Sequence, residues 1–202
     1  MLLAFDTSSA ACTAALFDGG AVCVARIDER IGRGHAERLM PMIAELLEGR
    51  RADQIVVGVG PGSFTGIRVG IAAAHGLAIG WDAGLVGMSS LALLAQSAEH
   101  RGEVAVAVIG GHGELFVQQF DAKRVPTSPV CNLAPDQAAA TISAELVIGS
   151  GASQLVEARG WGTAQEAWPS AANSLTIPAA LRELPAKPVY ARAPDARAKE
   201  AA

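Results

Sequence analysis

A glycine-rich segment between two apolar stretches restricts the fold of this chain more than any other feature. Residues 58–70 read GVGPGSFTGIRVG, with five glycines and one proline. The apolar run before the segment, 55–57, predicts a buried strand, and the apolar stretch within and after it, 64–80, predicts a helix. A strand, a glycine-rich turn and a helix in succession are typical of α/β proteins, and such turns often bind phosphate.

The spacing within this segment does not match the phosphate-binding motifs. No lysine follows as in GxxxxGK[ST], and Thr65 stands where GxGxxG requires its third glycine. Ser63 also lies outside the GxSxG pattern of serine hydrolases, but it can cap the helix that follows, as can Thr65. We therefore predict a tight turn with a helix cap, and phosphate binding is the less favoured alternative. The residues of this motif turn are Gly60, Pro61, Gly62, Ser63, Thr65, Gly66 and Arg68.

The composition indicates a folded protein of one domain or two small lobes. Half of the 202 residues are hydrophobic, 18% are charged, and the net charge is −4. A core can therefore form, and a main role in gripping RNA or DNA is disfavoured. Three scattered cysteines, Cys12, Cys23 and Cys131, are typical of free thiols in a reducing compartment. With no signal-peptide pattern and no apolar stretch long enough for a membrane span, we expect a cytoplasmic protein without a membrane partner.

The apolar pattern divides the chain into two lobes, 1–102 and 103–202. In the first lobe we expect strands at 2–5, 12–17, 21–27, 54–59 and 85–87 and helices at 35–48, 64–80 and 90–100. In the second lobe, which gives weaker signals, we expect strands at 104–109, 114–120 and 146–148 and helices at 135–142, 153–158 and 178–184. The polar, alanine-rich end from residue 186 is expected to fray.

The helices predicted at 35–48 and 64–80 carry more apolar surface than one small lobe can cover. On the first helix the apolar residues span an arc of roughly 160°, and on the second they fall on every side. We therefore expect the helix pair to form a partner surface, and a pair of deeply buried helices is the alternative. The residues proposed for this surface are Leu39, Met40, Ile43, Leu47, Ile67, Gly70, Ile71 and Ala74.

Three polar residues, Asp6-Thr7-Ser8, follow the first predicted strand. A carboxylate there can hold a hydrated divalent cation, and hydroxyls and backbone N–H groups can bind phosphate. A turn that merely ends the strand is the simpler interpretation. The histidines add no metal site, because none has a second histidine within five residues. We place His35 at the surface and His75 in the core.

Four segments together carry a resemblance to a known family. LLAFDTSSAACTAALF, HAERLMPMI, VVGVGPGSFTGIRVGIAAAHGLAIG and LVGMSSLALLA occur in this order. They resemble the TsaB (YeaZ) family, partner proteins in bacterial tRNA threonylcarbamoyladenosine synthesis. The resemblance covers residues 1–100 well and the remainder loosely. It implies the two-lobe α/β fold of the actin/hexokinase/Hsp70 (ASKHA) class, with mixed sheets flanked by helices, and it makes Asp6, Thr7 and Ser8 a vestigial phosphate loop.

The resemblance also implies a division of labour. The related catalytic subunit, TsaD, uses a metal held by a HxxxH motif, whereas this chain has no histidine from 77 to 99 and carries Ser89 and Ser90 near the matching positions. Hydroxyls are poor substitutes for imidazole at such a site, so we expect no metal and no catalytic residue. Family members often have Asp-Ala-Arg at the start of the second lobe, where this chain reads IGGHGE over 109–114. Any polar role of that loop is therefore in doubt.

The resulting hypothesis is a non-catalytic subunit that activates a TsaD-like transferase, joined by a TsaE-like ATPase. We expect the isolated chain to form a homodimer and to bind no cofactor tightly. ATP and Mg²⁺ would bind only in the assembled complex, and the chain would contact tRNA only as part of that complex. One rival is a small-molecule kinase or acyltransferase of the same fold that uses Asp6 with Mg-ATP. The other is a stand-alone structural homodimer.

Overall fold

The first lobe is built on a mixed five-stranded sheet. The computed structural model describes residues 1–19 and 21–191. The strands are β1 (Leu2–Asp6), β2 (Ala11–Phe17), β3 (Cys23–Arg30), β4 (Gln54–Gly58) and β5 (Gly84–Met88), in the order β3-β2-β1-β4-β5. β2 is antiparallel to β1 and β3, while β4 is parallel to β1 and β5. β2 and β3, which follow one another along the chain, form an antiparallel hairpin.

Two helices cover one face of this sheet. They are α1 (His35–Leu47) and α2 (Phe64–Trp81), each within one residue of its predicted range. Their buried side chains form one cluster with alternate residues of the strands, such as Leu3 and Phe5 of β1. None of the helices in the described part of the chain is long and apolar enough to cross a lipid bilayer.

The second lobe has its own five-stranded sheet. Its strands are β6 (Val104–Ile109), β7 (Leu115–Phe120), β8 (Cys131–Leu133), β9 (Leu146–Ile148) and β10 (Thr163–Gln165), in the order β10-β9-β6-β7-β8. The helices of the chain after α2 are α3 (Ser90–Ala95), α4 (Pro135–Thr141), α5 (Ala152–Arg159) and α6 (Ala179–Arg182). The sequence did not predict β8 and β10, each only three residues long, and α3 is shorter than predicted.

A single apolar cluster joins the two lobes. It contains Val56 and Met88 from the first sheet, residues 91–95 of α3, and Val106 and Phe120 from the second sheet. β2 is buried over all seven residues, because α1 and α2 cover one of its faces and this shared cluster covers the other. The surface between the lobes is therefore packed with apolar side chains.

The chain returns to the first lobe after β10. A short 3-10 helix, Ala171–Thr176, contacts β1, β2 and β3, and Leu184 pairs with Gly87 of β5. Described segments after β10 therefore contact the first sheet. From residue 192 onward the end expected to fray lies outside the described residues.

Candidate functional site

The turn after β1 is buried and forms its hydrogen bonds within the chain. Asp6 is fully buried, and Thr7 and Ser8 are almost so. Asp6 Oδ1 accepts hydrogen bonds from the backbone N–H and the hydroxyl of Ser8, both at 2.7 Å. Asp6 Oδ2 accepts a hydrogen bond from the hydroxyl of Ser90 at 2.5 Å. Both oxygens of this carboxylate are therefore bonded to donors of the same chain.

Ser90, the first residue of α3, joins this turn to the glycine-rich segment. Its hydroxyl accepts a hydrogen bond from Gly60 N at 3.0 Å while donating to Asp6. Its backbone N–H donates to Gly60 O at 3.0 Å. The sequence marked Ser90 only as a residue near a lost metal site and gave no signal of the contact with Asp6, which lies 84 residues away.

The glycine-rich turn packs directly on the turn after β1. Ser63 N donates to Ser8 O at 2.6 Å, and the Thr7 hydroxyl donates to Gly66 O at 2.7 Å. A Cβ atom on Gly70 would lie 2.6 Å from Thr7 Oγ1, and one on Gly66 would overlap Thr7 O. The glycines of this segment are thus required by the close approach of two turns.

The motif turn also starts α2, as the sequence predicts. The Ser63 side chain accepts a hydrogen bond from Gly66 N at 3.2 Å, and Gly60 has a φ of +96°, which favours glycine. Of the seven motif residues, Gly60, Pro61 and Gly66 are buried and Gly62 is half-buried. The other three, Ser63, Thr65 and Arg68, are exposed.

A nucleotide phosphate with Mg²⁺ does not fit at Asp6-Thr7-Ser8. A hydrated cation needs carboxylate oxygens that face solvent, whereas Asp6 has no exposed surface and its oxygens already accept three hydrogen bonds. Across residues 1–19 and 21–191, no three side chains of His, Cys, Asp or Glu come together as metal ligands. These hydrogen bonds join the turn after β1, the glycine-rich turn and the start of α3.

The residues that we assigned to a partner surface lie mostly inside the lobe. Only Met40 is exposed, with 44% of its surface accessible. The others, Leu39, Ile43, Leu47, Ile67, Gly70, Ile71 and Ala74, are buried against the sheet or the turn after β1. This assignment of helix faces is corrected, because the wide apolar stripes of α1 and α2 face the chain's own core.

The outer faces of the same helices are nevertheless weakly polar. On α1, the exposed stripe includes Met40, Pro41 and Ala44. On α2, the exposed stripe is Thr65, Arg68, Ala72, His75, Gly76 and Ile79. Ile79 is 83% exposed, and a Cβ atom on Gly76 would meet nothing within 4 Å. We call these two stripes together the outer helix face.

Two histidine placements were also wrong. His35 is buried, with Nε2 3.2 Å from Ala11 O, because α1 begins beneath the β2 strand end. His75 lies on the exposed stripe of α2, where its Nε2 is 3.3 Å from Ala186 O. The hydrogen-bond partner of each ring among the described residues is a backbone carbonyl oxygen.

The loop that replaces the Asp-Ala-Arg string closes the β6–β7 hairpin. Gly110 N donates to Glu114 O at 2.7 Å, and Glu114 accepts a hydrogen bond from the side chain of Asn132 at 2.5 Å. His112 has a φ of +61° at the exposed tip. The loop therefore ends at an acidic residue, Glu114, that is hydrogen-bonded to Asn132 of β8.

Residues 184–190, which we call the return arm, lie beside α2 and β5. The backbone of Leu184 exchanges hydrogen bonds with Gly87, and Val189 N donates to Val59 O at 2.8 Å. At the end of the arm, Tyr190 accepts a hydrogen bond from Arg68 Nε at 3.0 Å. The sequence predicts fraying from residue 186 and gives no signal of the contact between Arg68 and Tyr190, which joins residues 122 positions apart.

The sequence of this chain matches a family model and several named relatives. Residues 27–158 match the family model described as TsaD, tRNA N6-adenosine threonylcarbamoyltransferase. The chain is 39% identical over 132 residues to the tRNA threonylcarbamoyladenosine biosynthesis protein TsaB of Haemophilus influenzae and 34% identical over 127 residues to that of Escherichia coli. These matches cover 61% and 59% of this chain and 55% and 54% of the relatives. The chain thus spans about half the length of the curated relatives it matches.

Solved structures match nearly the whole chain. YeaZ from Pseudomonas aeruginosa is 30% identical, with a TM-score of 0.78 over 94% of this chain and 98% of its own. A further Pseudomonas aeruginosa protein, described as uncharacterized with similarity to peptidase YeaZ, is 30% identical, with a TM-score of 0.80 over 95% of this chain and 99% of its own. The predicted two-lobe fold of the actin/hexokinase/Hsp70 class is confirmed by the two mixed sheets and these matches. Since the family model covers more than half of the chain and the YeaZ structures almost all of it, the chain belongs to the TsaB/YeaZ family.

Proposed function

We propose that this chain is a non-catalytic subunit that binds and activates a TsaD-like threonylcarbamoyltransferase in the cytoplasm. A TsaE-like ATPase joins the same complex, and tRNA is reached only through it. The names of the relatives support the pathway, since TsaB is described as a tRNA threonylcarbamoyladenosine biosynthesis protein. The non-catalytic role is supported by the site.

The observation that carries the proposal is the filled turn after β1. Its carboxylate, Asp6, is fully buried and accepts all of its hydrogen bonds from Ser8 and Ser90. A kinase or acyltransferase that used Asp6 to hold Mg-ATP would need this carboxylate accessible. The packed apolar cluster between the lobes disfavours the same alternative, because a nucleotide in that position would have to displace side chains of both sheets.

The outer helix face is the surface we propose for the transferase. It combines exposed apolar residues, Met40 and Ile79, with the small residues Ala72 and Gly76. A glycine inside a helix costs about 1 kcal/mol relative to alanine, and no contact within residues 1–19 and 21–191 requires Gly76. A helix from a partner can approach such a face closely. Without the transferase, we propose that the same face pairs with a second copy of the chain.

The experiment that tests the function is reconstitution. The transferase alone and with this chain is assayed for threonylcarbamoyladenosine formation on tRNA, with an activated threonylcarbamoyl donor, the ATPase, ATP and Mg²⁺ present. We expect modification only when this chain is added, and co-elution of the two proteins from a sizing column. Full activity without the chain, or no association between the two, would reject the proposal.

A second assay addresses the rival enzyme. The purified chain alone should neither hydrolyse ATP nor bind tRNA tightly, since it has a net charge of −4 and a buried Asp6. ATP hydrolysis that is lost in Asp6→Asn, with the variant still folded, would favour the kinase or acyltransferase alternative. If the chain forms a folded homodimer that does not bind the transferase, the structural-homodimer alternative is favoured.

A further inference from the structure

An exposed arginine of α2 stacks on the ring of Phe64 and lies beside the ring of Tyr190. Arg68 Cζ lies 3.6 Å from the ring centroid of Phe64 and 5.8 Å from that of Tyr190. The two rings are 5.6 Å apart, and Phe64 and Tyr190 are 55% and 48% exposed. We call these three residues the arginine stack. Water-exposed aromatic rings around an arginine are typical of the centres of protein interfaces.

The arginine stack holds the guanidinium in one orientation. Nε of Arg68 donates to the Tyr190 hydroxyl, and stacking on Phe64 fixes the plane of the group. The return arm is itself tied down, since Val189 N bonds to Val59 O and His75 contacts Ala186 O. The side chain of Arg68 is therefore already ordered in the free chain. Binding a partner then costs less conformational entropy, which favours association.

The side chain of Arg68 is exposed, and among the described residues its only hydrogen bond is the one from Nε to Tyr190. Arg38, on α1, already pairs with Glu29 and Glu45, whereas Arg68 forms no ion pair with any carboxylate of residues 1–19 and 21–191. It is also the only Lys, Arg, Asp or Glu in α2. Two parallel N–H groups at the end of a guanidinium match the two oxygens of a carboxylate.

We propose that the arginine stack receives a carboxylate side chain of the transferase, and that Arg68 thereby determines partner specificity. This inference rests on the proposed function. Arg68 belongs to the same exposed stripe of α2 as Ala72, Gly76 and Ile79, so one partner element can contact all of them. A nucleic-acid backbone is the less suitable occupant, because it presents repeated negative charges while this stack offers a single cation and α1 exposes two carboxylates, Glu37 and Glu45.

The test measures binding of the transferase to variants at position 68 and at a matched position. Arg68→Ala should weaken binding by about tenfold or more, and Arg68→Glu further, because the partner's carboxylate loses its only counter-charge. Arg68→Lys should fall between, since an ammonium cannot form the two parallel bonds. Arg51→Ala removes an exposed arginine outside α1 and α2 and should bind like wild type. The loss in Arg68→Ala should shrink at high salt.

The outcomes separate the two proposals. If wild type binds and Arg68→Ala, folded by circular dichroism, binds equally well, the arginine stack is not the carboxylate site and the proposed function stands. If Arg68→Ala loses affinity for tRNA in a gel shift but not for the transferase, the stack is a nucleic-acid contact and the inference is overturned. If wild type does not bind the transferase at all, both proposals fail.

Discussion

At the scale of single residues, the glycines of α2 differ in what surrounds them. Gly66 and Gly70 lie against Thr7, where a Cβ atom would overlap the backbone oxygen or the hydroxyl. Gly76 and Gly80 have nothing within 4 Å of that position. The first pair is required by packing on the turn after β1, whereas no packing contact in the described part of the chain requires the second pair.

This contrast predicts substitutions with opposite signs. Gly66→Ala should destabilise the chain by about 1–3 kcal/mol, because the new methyl group forces the two turns apart. Gly76→Ala should stabilise it by up to about 1 kcal/mol, through the higher helix propensity of alanine. Urea unfolding of the two variants measures both. Loss of stability of the same size in both variants would contradict the packing role of Gly66.

Ser90 is a second residue-scale test. Ser90→Ala leaves Asp6 Oδ2 and Gly60 N without their partner, and both atoms are buried. We expect a loss of about 1–3 kcal/mol in the free energy of unfolding, the usual effect of unsatisfied buried polar groups. Ser153→Ala, at an exposed position of α5, is the matched control and should change stability little. A neutral Ser90→Ala would show that the hydroxyl does not join α3 to the turn after β1.

At the scale of elements, the sequence located the helices and not their faces. The start and end of α2 follow from the Ser63 cap and the apolar run. The sequence could not show which face of α2 packs against the core, because apolar residues occur all around this helix. That face is set by the contact with Thr7, which lies 59 positions from Gly66. The same limit explains the missed parts of the candidate site. Ser90 and Tyr190 meet their partners only after the whole chain has folded.

The correct faces of α2 can be checked with two neighbouring substitutions. Ile71 is buried in the core and Ala72 is exposed on the outer helix face. Ile71→Asp should destabilise the chain strongly, because an unpaired buried charge costs several kcal/mol. Ala72→Asp should leave the thermal transition nearly unchanged and reduce transferase binding and self-association, as seen by pull-down and size-exclusion chromatography. If the Ile71→Asp variant folds but no longer binds the transferase, Ile71 belongs to the partner surface, as the sequence analysis predicted.

At the scale of the whole molecule, the shared apolar cluster makes the two lobes one structural unit. The cluster takes side chains from both sheets and from α3, and the 3-10 helix at 171–176 crosses back to the first lobe. Ala171 N donates to the Thr13 hydroxyl at 2.7 Å, and Ser170 donates to Asp28 at 2.8 Å. The sequence predicts a lobe boundary near residue 102 but gives no signal of this crossing, since 160–174 carries only weak patterns.

A single unit should unfold in one cooperative transition, and Cys12 offers a probe of it. This thiol is buried in the first lobe, and burial raises its pKa to about 11, so that in the folded chain it is both covered and protonated at neutral pH. Leu115→Ala, in the core on the outer side of the second sheet, should lower stability by about 2–5 kcal/mol. We expect the urea midpoint for Cys12 labelling to fall by the same amount as the midpoint from circular dichroism. Cys23→Ser and Cys131→Ser remove the two more accessible thiols, so that only Cys12 reports. An unchanged Cys12 midpoint in Leu115→Ala would show that the lobes unfold separately, in conflict with a continuous core between them.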